Sequence, residues 1–400
     1  MKERRHKEDA RQLDLGRLPL VLLIGLQMRS VILAVPPVLP AIRSDLHLSY
    51  AVTGTLTAIP VFCLGAAAIP GAVLVARLGA RAVVAIAMLG LGAGALLRVA
   101  PPPLLFIFVG TVLLAVSVSI AQPAIPVLLR RWFGDHVQQV STGYGIAMSI
   151  GALVAASSTV YLLVFGGWRG TFVLWALPPL VAATAWLVLS PRETDRRRGP
   201  SAIGETLKGR LGWSLALLFG CQSMAYFGSQ TWIPFLLARE GSGKVALTLL
   251  ALNLAGLPLQ LGLALTRRPW ARSRWFYVVS GLLILAANAA FLFEVRLPQL
   301  AWLWAVIFGL GGSMNFSGAF ALPPLLARSG AEAASLTSVM LTAGYALALF
   351  GPLVGGVLLD LTGILSAPFA IFCAGGILLV VLGLAIPLRP LAQLDAPDLA

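Results

Sequence analysis

The sequence predicts an all-α polytopic membrane protein of about twelve transmembrane helices arranged as two six-helix pseudo-repeats. Three observations carry that expectation. Hydrophobic residues make up 58% of the 400 and charged residues only 11%, whereas soluble domains run near a quarter charged. The apolar residues fall into about twelve segments of roughly 20 residues, the length that crosses hydrocarbon as a helix. A polar, basic stretch from Ser190 to Arg210 divides those segments six and six. Disorder is excluded because disordered chains are poor in apolar residues, and the shortage of charge argues against a soluble enzyme.

Taken in order, the first span covers 17–41 and contains Gln27, Arg29 and the Pro36-Pro37 pair. Its length, and the lack of a small-residue cleavage site, mark it as a retained span rather than a signal peptide. The second covers 50–76 and the third 81–99. The fourth, 103–129, follows a short hinge at Ala100–Pro103 and contains Pro123 and Pro126. The fifth, 138–165, carries Gly143-Tyr144. The sixth, 170–190, starts beyond a hinge at Gly166–Arg169. Residues 1–190 then form an N-terminal six-helix bundle, 191–211 a cytoplasmic linker and 212–400 a C-terminal six-helix bundle. The remaining spans are 212–238, 245–266, 275–294, 299–327, 333–358 and 364–388.

The halves resemble one another weakly. Spans one and seven each carry a Gln followed by Pro (Gln27 with Pro36, Gln222 with Pro234). Spans four and ten carry Pro123 and Pro126, and Pro323-Pro324. Spans five and eleven carry Gly143-Tyr144 and Gly344-Tyr345. Corresponding Pro-interrupted helices in two halves predict a transporter with its site near the midplane. The plainer reading of each match is that Pro is common in membrane helices.

The chain has 29 Lys and Arg against 15 Asp and Glu, a net charge of +14. Laid on the spans, 22 of the 29 fall on one side: the N-terminus, Arg77 and Arg81, Arg130 and Arg131, the central linker, the cluster from Arg267 to Arg274, Arg328 and Arg389. The other side holds Arg43, Arg98, Arg169, Arg239, Lys244 and Arg296. Cytoplasmic loops collect basic residues, so the rich side is expected inside, with both termini in the cytoplasm. This distribution accounts for the basic balance without a nucleic-acid partner. Trp132, Trp168, Trp213, Trp270 and Trp275 lie near span ends, where amphipathic rings favour the interface.

Arg29 stands out because it lies near the middle of span one, where an arginine costs roughly 2.5–3.5 kcal/mol on insertion scales. No Asp or Glu occupies the middle of any span. A guanidinium in that setting points to an anionic ligand in a water-filled cavity, gripped through two hydrogen bonds. The alternative is an arginine bonded to backbone carbonyls of broken helices. Gln27, Gln122, Gln222, Tyr226, Trp232 and Asn315 are further candidates for the same cavity, with Tyr144 and Tyr345 either lining it or packing on neighbouring glycines. Gln230, Asn253 and Asn288 read better as helix–helix hydrogen bonds. Arg98 and Arg296 either draw anions to an outer vestibule or are solvated loop charges.

Several chemistries find no support. There is no Gly-Lys-Ser/Thr phosphate loop. His6, His47 and His136 lie outside the spans, and Cys63, Cys221 and Cys373 are isolated in apolar runs. Neither a cofactor nor a metal is expected, and no nucleophile–base set can be assembled.

Six plus six spans with a basic central linker resemble the major facilitator superfamily. The loop after span two, Gly71-Ala-Val-Leu-Val-Ala-Arg77-Leu-Gly79-Ala-Arg81, is similar to that superfamily's gating motif, with Ala76 where an acidic residue is usual. Finer matches resemble the cyanate-permease branch, which includes nitroimidazole transporters. They are Gln27-Met-Arg29-Ser, Leu39-Pro40-Ala-Ile-Arg43-Ser-Asp45, Leu96-Leu97-Arg98, Ala121-Gln-Pro123, Gln222-Ser223 with Tyr226 and Trp232-Ile-Pro234, and Gly344-Tyr345 through Pro352 to Asp360. That branch carries an Asn where Gln27 or Met28 stands here.

The resemblance implies a permease for small anions or small polar organics. The expected function is secondary active or facilitative transport of a small anion (cyanate-like, nitrite- or nitrate-like, or a short carboxylate) across the inner membrane by alternating access. Arg29 would bind the anion, and the protein would work as a monomer. The rival readings are efflux of neutral nitroimidazole-like compounds and a membrane receptor that binds without transporting. An enzyme is not expected.

Overall fold

The computed structural model describes residues 16–133, 137–191, 210–265, 270–293, 298–326 and 330–385. The basic residues before Arg17, those from Arg192 to Lys208, and Arg267, Arg268, Arg296, Arg328 and Arg389 lie outside the described residues. Every regular element among the described residues is helical. Among the described residues, ten helical stretches are long and apolar enough to cross a membrane. The two further predicted spans are also helical, as Tyr50–Ala66 followed by Ala68–Leu78, and as Arg210–Leu236.

Proline and glycine set where the helices break. Leu18–Leu33 ends just before Pro36, which lacks the N–H needed to continue the ladder and pushes its predecessor out of the helical region. The chain resumes as the short helix Leu39–Leu46. Pro103–Ala121 stops at Gln122 ahead of Pro123, which likewise has no N–H to continue the ladder, although Gln122 itself keeps helical dihedrals (φ −52°, ψ −47°), and the chain resumes as Ala124–Phe133. Gly166 and Gly167, at φ 93° and 68°, make the turn into Gly167–Leu189. Pro60, Pro178, Pro179 and Pro234, in contrast, are accommodated inside helices, as is common in membrane helices.

The helices cluster into two compact units. One comprises 1–35 and 66–200, the other 36–65 and 201–400. In the first, Leu18–Leu33 packs on Val137–Ser158 and Gly167–Leu189, and Ala80–Leu97 packs on Pro103–Ala121 and Gly167–Leu189. In the second, Arg210–Leu236 packs on Gly330–Ala348, Phe350–Thr362 and Pro368–Ala385, while Arg274–Phe293 packs on Pro368–Ala385 and Ala301–Leu326. Residues 36–65, N-terminal in sequence, thus belong with the C-terminal helices.

Candidate functional site

The first unit holds Arg29, Gln27, Gln122 and Tyr144. Arg29 is half-buried on Leu18–Leu33. One turn earlier, Gly25 lets the neighbouring helix come close: a Cβ there would meet Tyr144 Cδ2 at 3.0 Å and Ala147 Cβ at 3.1 Å. Tyr144 therefore packs beside the turn that carries Arg29, within electrostatic reach of its guanidinium. Gln27 is buried, and its Oε1 accepts from the Ser30 hydroxyl at 3.4 Å. Gln122 is half-buried at the proline break and makes no side-chain hydrogen bond among the described residues. The structure thus brings Arg29 and Tyr144 together and turns Gln27 toward its own helix.

The gating-like loop also lies in this unit. Gly79 has φ 86° and ψ 152°, a conformation that favours glycine, and Arg77 is exposed. Gly71 faces Ile120, whose Cα a Cβ would meet at 2.7 Å. Arg81 donates from Nε to Ser190 Oγ at 2.8 Å and from Nη2 to the Leu187 carbonyl at 2.8 Å. Trp186 Nε1 donates to the Arg81 carbonyl at 2.9 Å. Arg81 therefore satisfies the final carbonyls of Gly167–Leu189, which have no partner within their own helix.

The second unit holds Gln222, Tyr226, Trp232, Asn315 and Tyr345. Gln222 is buried and accepts from the Ser223 hydroxyl at 3.3 Å. Its Nε2 would lie 3.5 Å from a Cβ at Gly312, so its amide reaches the helix turn that leads to Asn315. Asn315 is fully buried, and neither its Nδ2 nor its Oδ1 has a hydrogen-bond partner. Tyr226 donates to Asn253 Oδ1 at 2.7 Å, and Gln230 Nε2 donates to the same oxygen at 3.0 Å. Gln230 Oε1 is left without a partner. Asn253 is therefore a hub between two helices, and Ser229 with Asn288 makes a second such link at 3.2 Å. Those are the helix–helix bonds expected of Gln230, Asn253 and Asn288. Buried amide atoms in proteins are nearly always hydrogen-bonded, so the three orphaned atoms on Asn315 and Gln230 are conspicuous.

Trp232 and Tyr345 are packed rather than open. Trp232 is fully buried, donates to the Gly351 carbonyl at 3.3 Å and stacks edge-on with Tyr50. Tyr345 stands edge-on to Phe219, with centroids 5.0 Å apart. Arg98 corrects one of the two readings offered for it: it is 1% exposed and is not a solvated loop charge. Its burial was not legible because Arg98 follows directly on a helix end, the usual place for a solvated arginine. Among the described residues no group of three His, Cys, Asp or Glu could hold a metal ion.

Residues 20–349 match the profile of the Major Facilitator Superfamily. The chain belongs to that superfamily. It is 30% identical over 380 residues to the cyanate transport protein CynX of Escherichia coli (strain K12), covering 92% of this chain and 97% of the relative. It is 26% identical over 375 residues to the 2-nitroimidazole transporter of the same organism, covering 91% and 93%. Among solved structures it resembles a D-xylose–proton symporter (TM-score 0.74, 13% identity, covering 95% of this chain and 98% of that one). A bacterial homologue of the human lysosomal transporter Spinster, inward-facing and unoccupied, gives TM-score 0.70 at 15% identity, covering 92% and 96%. Likeness at such identities concerns the fold. The helical architecture of about twelve spans is that of a multi-pass membrane transporter.

Proposed function

We propose that this superfamily member moves a small anion across the inner membrane by alternating access, as a secondary active or facilitative transporter, with Arg29 as the anion-binding residue. The observation that carries the reading is the half-buried Arg29 on the apolar helix Leu18–Leu33, one turn from where Gly25 meets the Tyr144 ring. A planar guanidinium grips a small oxyanion or pseudohalide through two charge-assisted hydrogen bonds. A hydroxyl within electrostatic reach adds a neutral donor to the same anion. The name of the 30% identical relative, a cyanate transport protein, supports the same substrate class. Gln27, Gln122, Gln222, Tyr226, Asn315 and Tyr345 are further candidate substrate contacts in this reading, and Trp232 restricts the size of the ligand. By sequence, residues 1–190 and 212–400 are the N- and C-terminal bundles of that transporter, with 191–211 as a cytoplasmic linker. Both termini face the cytoplasm, the chain works as a monomer, and it catalyses no reaction.

The test is uptake into proteoliposomes. Hydrogen bonds to charged groups contribute about 1.5–3 kcal/mol, so Arg29→Gln is expected to lower anion uptake by about tenfold or more. Arg29→Lys keeps the charge but not the fork, and falls between Gln and wild type. Undiminished anion uptake by Arg29→Gln would sink the assignment.

The orphaned amide atoms of Asn315 and Gln230 favour a second reading, transport of a neutral polar organic, because an amide serves donors and acceptors without charge. The 2-nitroimidazole transporter among the relatives is in keeping with it. Uptake of a nitroimidazole that persists in Arg29→Gln and falls in Asn315→Leu would favour that reading. A receptor that binds without transporting is distinguished by ligand binding with no uptake.

A further inference from the structure

We propose that Arg98 is the binding group of a second anion site in the first unit, separate from Arg29, and that it takes a small monovalent inorganic anion such as chloride. Arg98 follows Ala80–Leu97 directly, and its side chain turns inward rather than out to solvent, leaving it 1% exposed. Its stem lies where Ala80–Leu97 and Pro103–Ala121 cross on two glycines. A Cβ on Gly94 would meet the Gly110 carbonyl oxygen at 2.8 Å, and one on Gly110 would meet Arg98 Cγ at 2.9 Å. Only this close crossing gives the stem its groove.

The head group is half satisfied. Nε donates to Thr111 Oγ1 at 3.1 Å, and the Thr111 hydroxyl in turn donates to the Ile107 carbonyl at 2.6 Å, so Oγ1 is aligned as an acceptor. The guanidinium carbon lies 5.0 Å from the centroid of Phe172. Both terminal nitrogens, which carry four N–H groups, are shielded from solvent and have no hydrogen-bond partner. Among the described residues no carboxylate is paired with the group.

An arginine remains charged at neutral pH. A buried charge without a partner is strongly unfavourable, and the face of one aromatic ring offsets only part of that. What Arg98 lacks is one negative charge and acceptors for two nitrogens. A single small anion supplies both. A polyanion would bring surplus charge into an apolar surround. A lipid phosphate would have to reach nitrogens that are closed off from the protein surface, so the free ion is the occupant that fits. The inference does not rest on the role proposed for Arg29.

The experiment is a thermal-unfolding titration of the purified full-length protein in sodium gluconate, replaced stepwise by sodium chloride at constant ionic strength. A ligand bound by the native state raises the melting temperature with its concentration. Wild type and Arg29→Gln are expected to gain stability saturably with chloride, and Arg98→Met is expected to lose that gain. Arg98→Met should also be at least as stable as wild type in gluconate, because it removes the uncompensated charge and keeps the apolar stem. Equilibrium dialysis of Arg29→Gln against radiolabelled chloride needs no variant at Arg98, and saturable binding is expected. Equal melting temperatures for wild type in the two salts would overturn the site. So would a chloride gain retained by Arg98→Met, absence of saturable chloride binding, or a stabilisation that appears only with added anionic lipid.

Discussion

The carboxylate of Asp360 accepts hydrogen bonds from the backbone N–H of Tyr50, at 2.9 Å, and of Ala51, at 2.8 Å, across 310 residues of sequence. The first N–H groups of any helix have no partner within it and carry a partial positive charge. In Tyr50–Ala66 the next one, Val52 N–H, is met by Ser49 Oγ at 3.2 Å. A local serine and a remote carboxylate thus share the capping of one helix, and Asp360 ties that helix to Phe350–Thr362. Losing a helix cap costs about 0.5–2 kcal/mol. Asp360→Ala is expected to lower the thermal stability of the purified protein by that order, and Asp360→Asn, which retains one acceptor, by less. A melting temperature unchanged in Asp360→Ala would show the cap to be dispensable.

The same contact is tightened by a glycine. A Cβ on Gly356 would meet the Tyr50 carbonyl carbon at 2.8 Å and Ala51 Cα at 2.9 Å. Backbone cannot move aside as a flexible side chain can, and overpacking costs typically about 1–3 kcal/mol. Gly356→Ala should therefore destabilise the protein although Ala is the better helix former. Gly262, with open space about its Cβ position, is the control, since Gly262→Ala meets no such contact. Parallel melting curves for the two variants would contradict the packing argument.

Arg81 predicts a local rather than a global effect. Its bonds to Ser190 and to the Leu187 carbonyl hold the last turn of Gly167–Leu189. Arg81→Ala leaves those carbonyls to water and should increase hydrogen exchange in residues 186–190 over that in 171–180. Arg81→Lys offers no planar fork and should restore little of the protection. Exchange unchanged in both variants would mean that the helix end is held by other contacts.

Tyr144 tests the substrate reading from the other side of Arg29. A single neutral hydrogen bond contributes about 0.5–1.5 kcal/mol, so Tyr144→Phe should raise the KM for anion uptake about two- to tenfold. The ring that packs on Gly25 is kept, so the maximal rate should change little. A fall in maximal rate with KM unchanged would assign Tyr144 to the movement rather than to the ligand.

Much of this architecture was legible in one dimension because lipid imposes a simple rule: a spanning segment must be long, apolar and helical. Each predicted span is largely helical over its described residues, and several breaks fall beside prolines such as Pro36 and Pro123. The polar residues were legible as candidates but not as partners. Arg29 and Tyr144 lie on different helices that meet only because Gly25 has no side chain. Asn253 serves Tyr226 and Gln230 together, while Asn315 is left with neither amide atom bonded. Pairings of that kind depend on helix rotation and on interhelical distance, and hydropathy reports neither.

The amino-acid sequence by itself determined that this chain lives in a membrane, roughly which segments are helical, and that a charge sits inside the first of them. Composition and proline positions are local quantities, and they suffice for local structure. Only the tertiary structure decided that Asp360 caps a helix 310 residues away, and that Arg98 turns inward onto Thr111 and Phe172 instead of facing solvent. Both outcomes rest on where two helix surfaces come close enough for a glycine alone to fit between them, and that spacing is a property of the packed bundle.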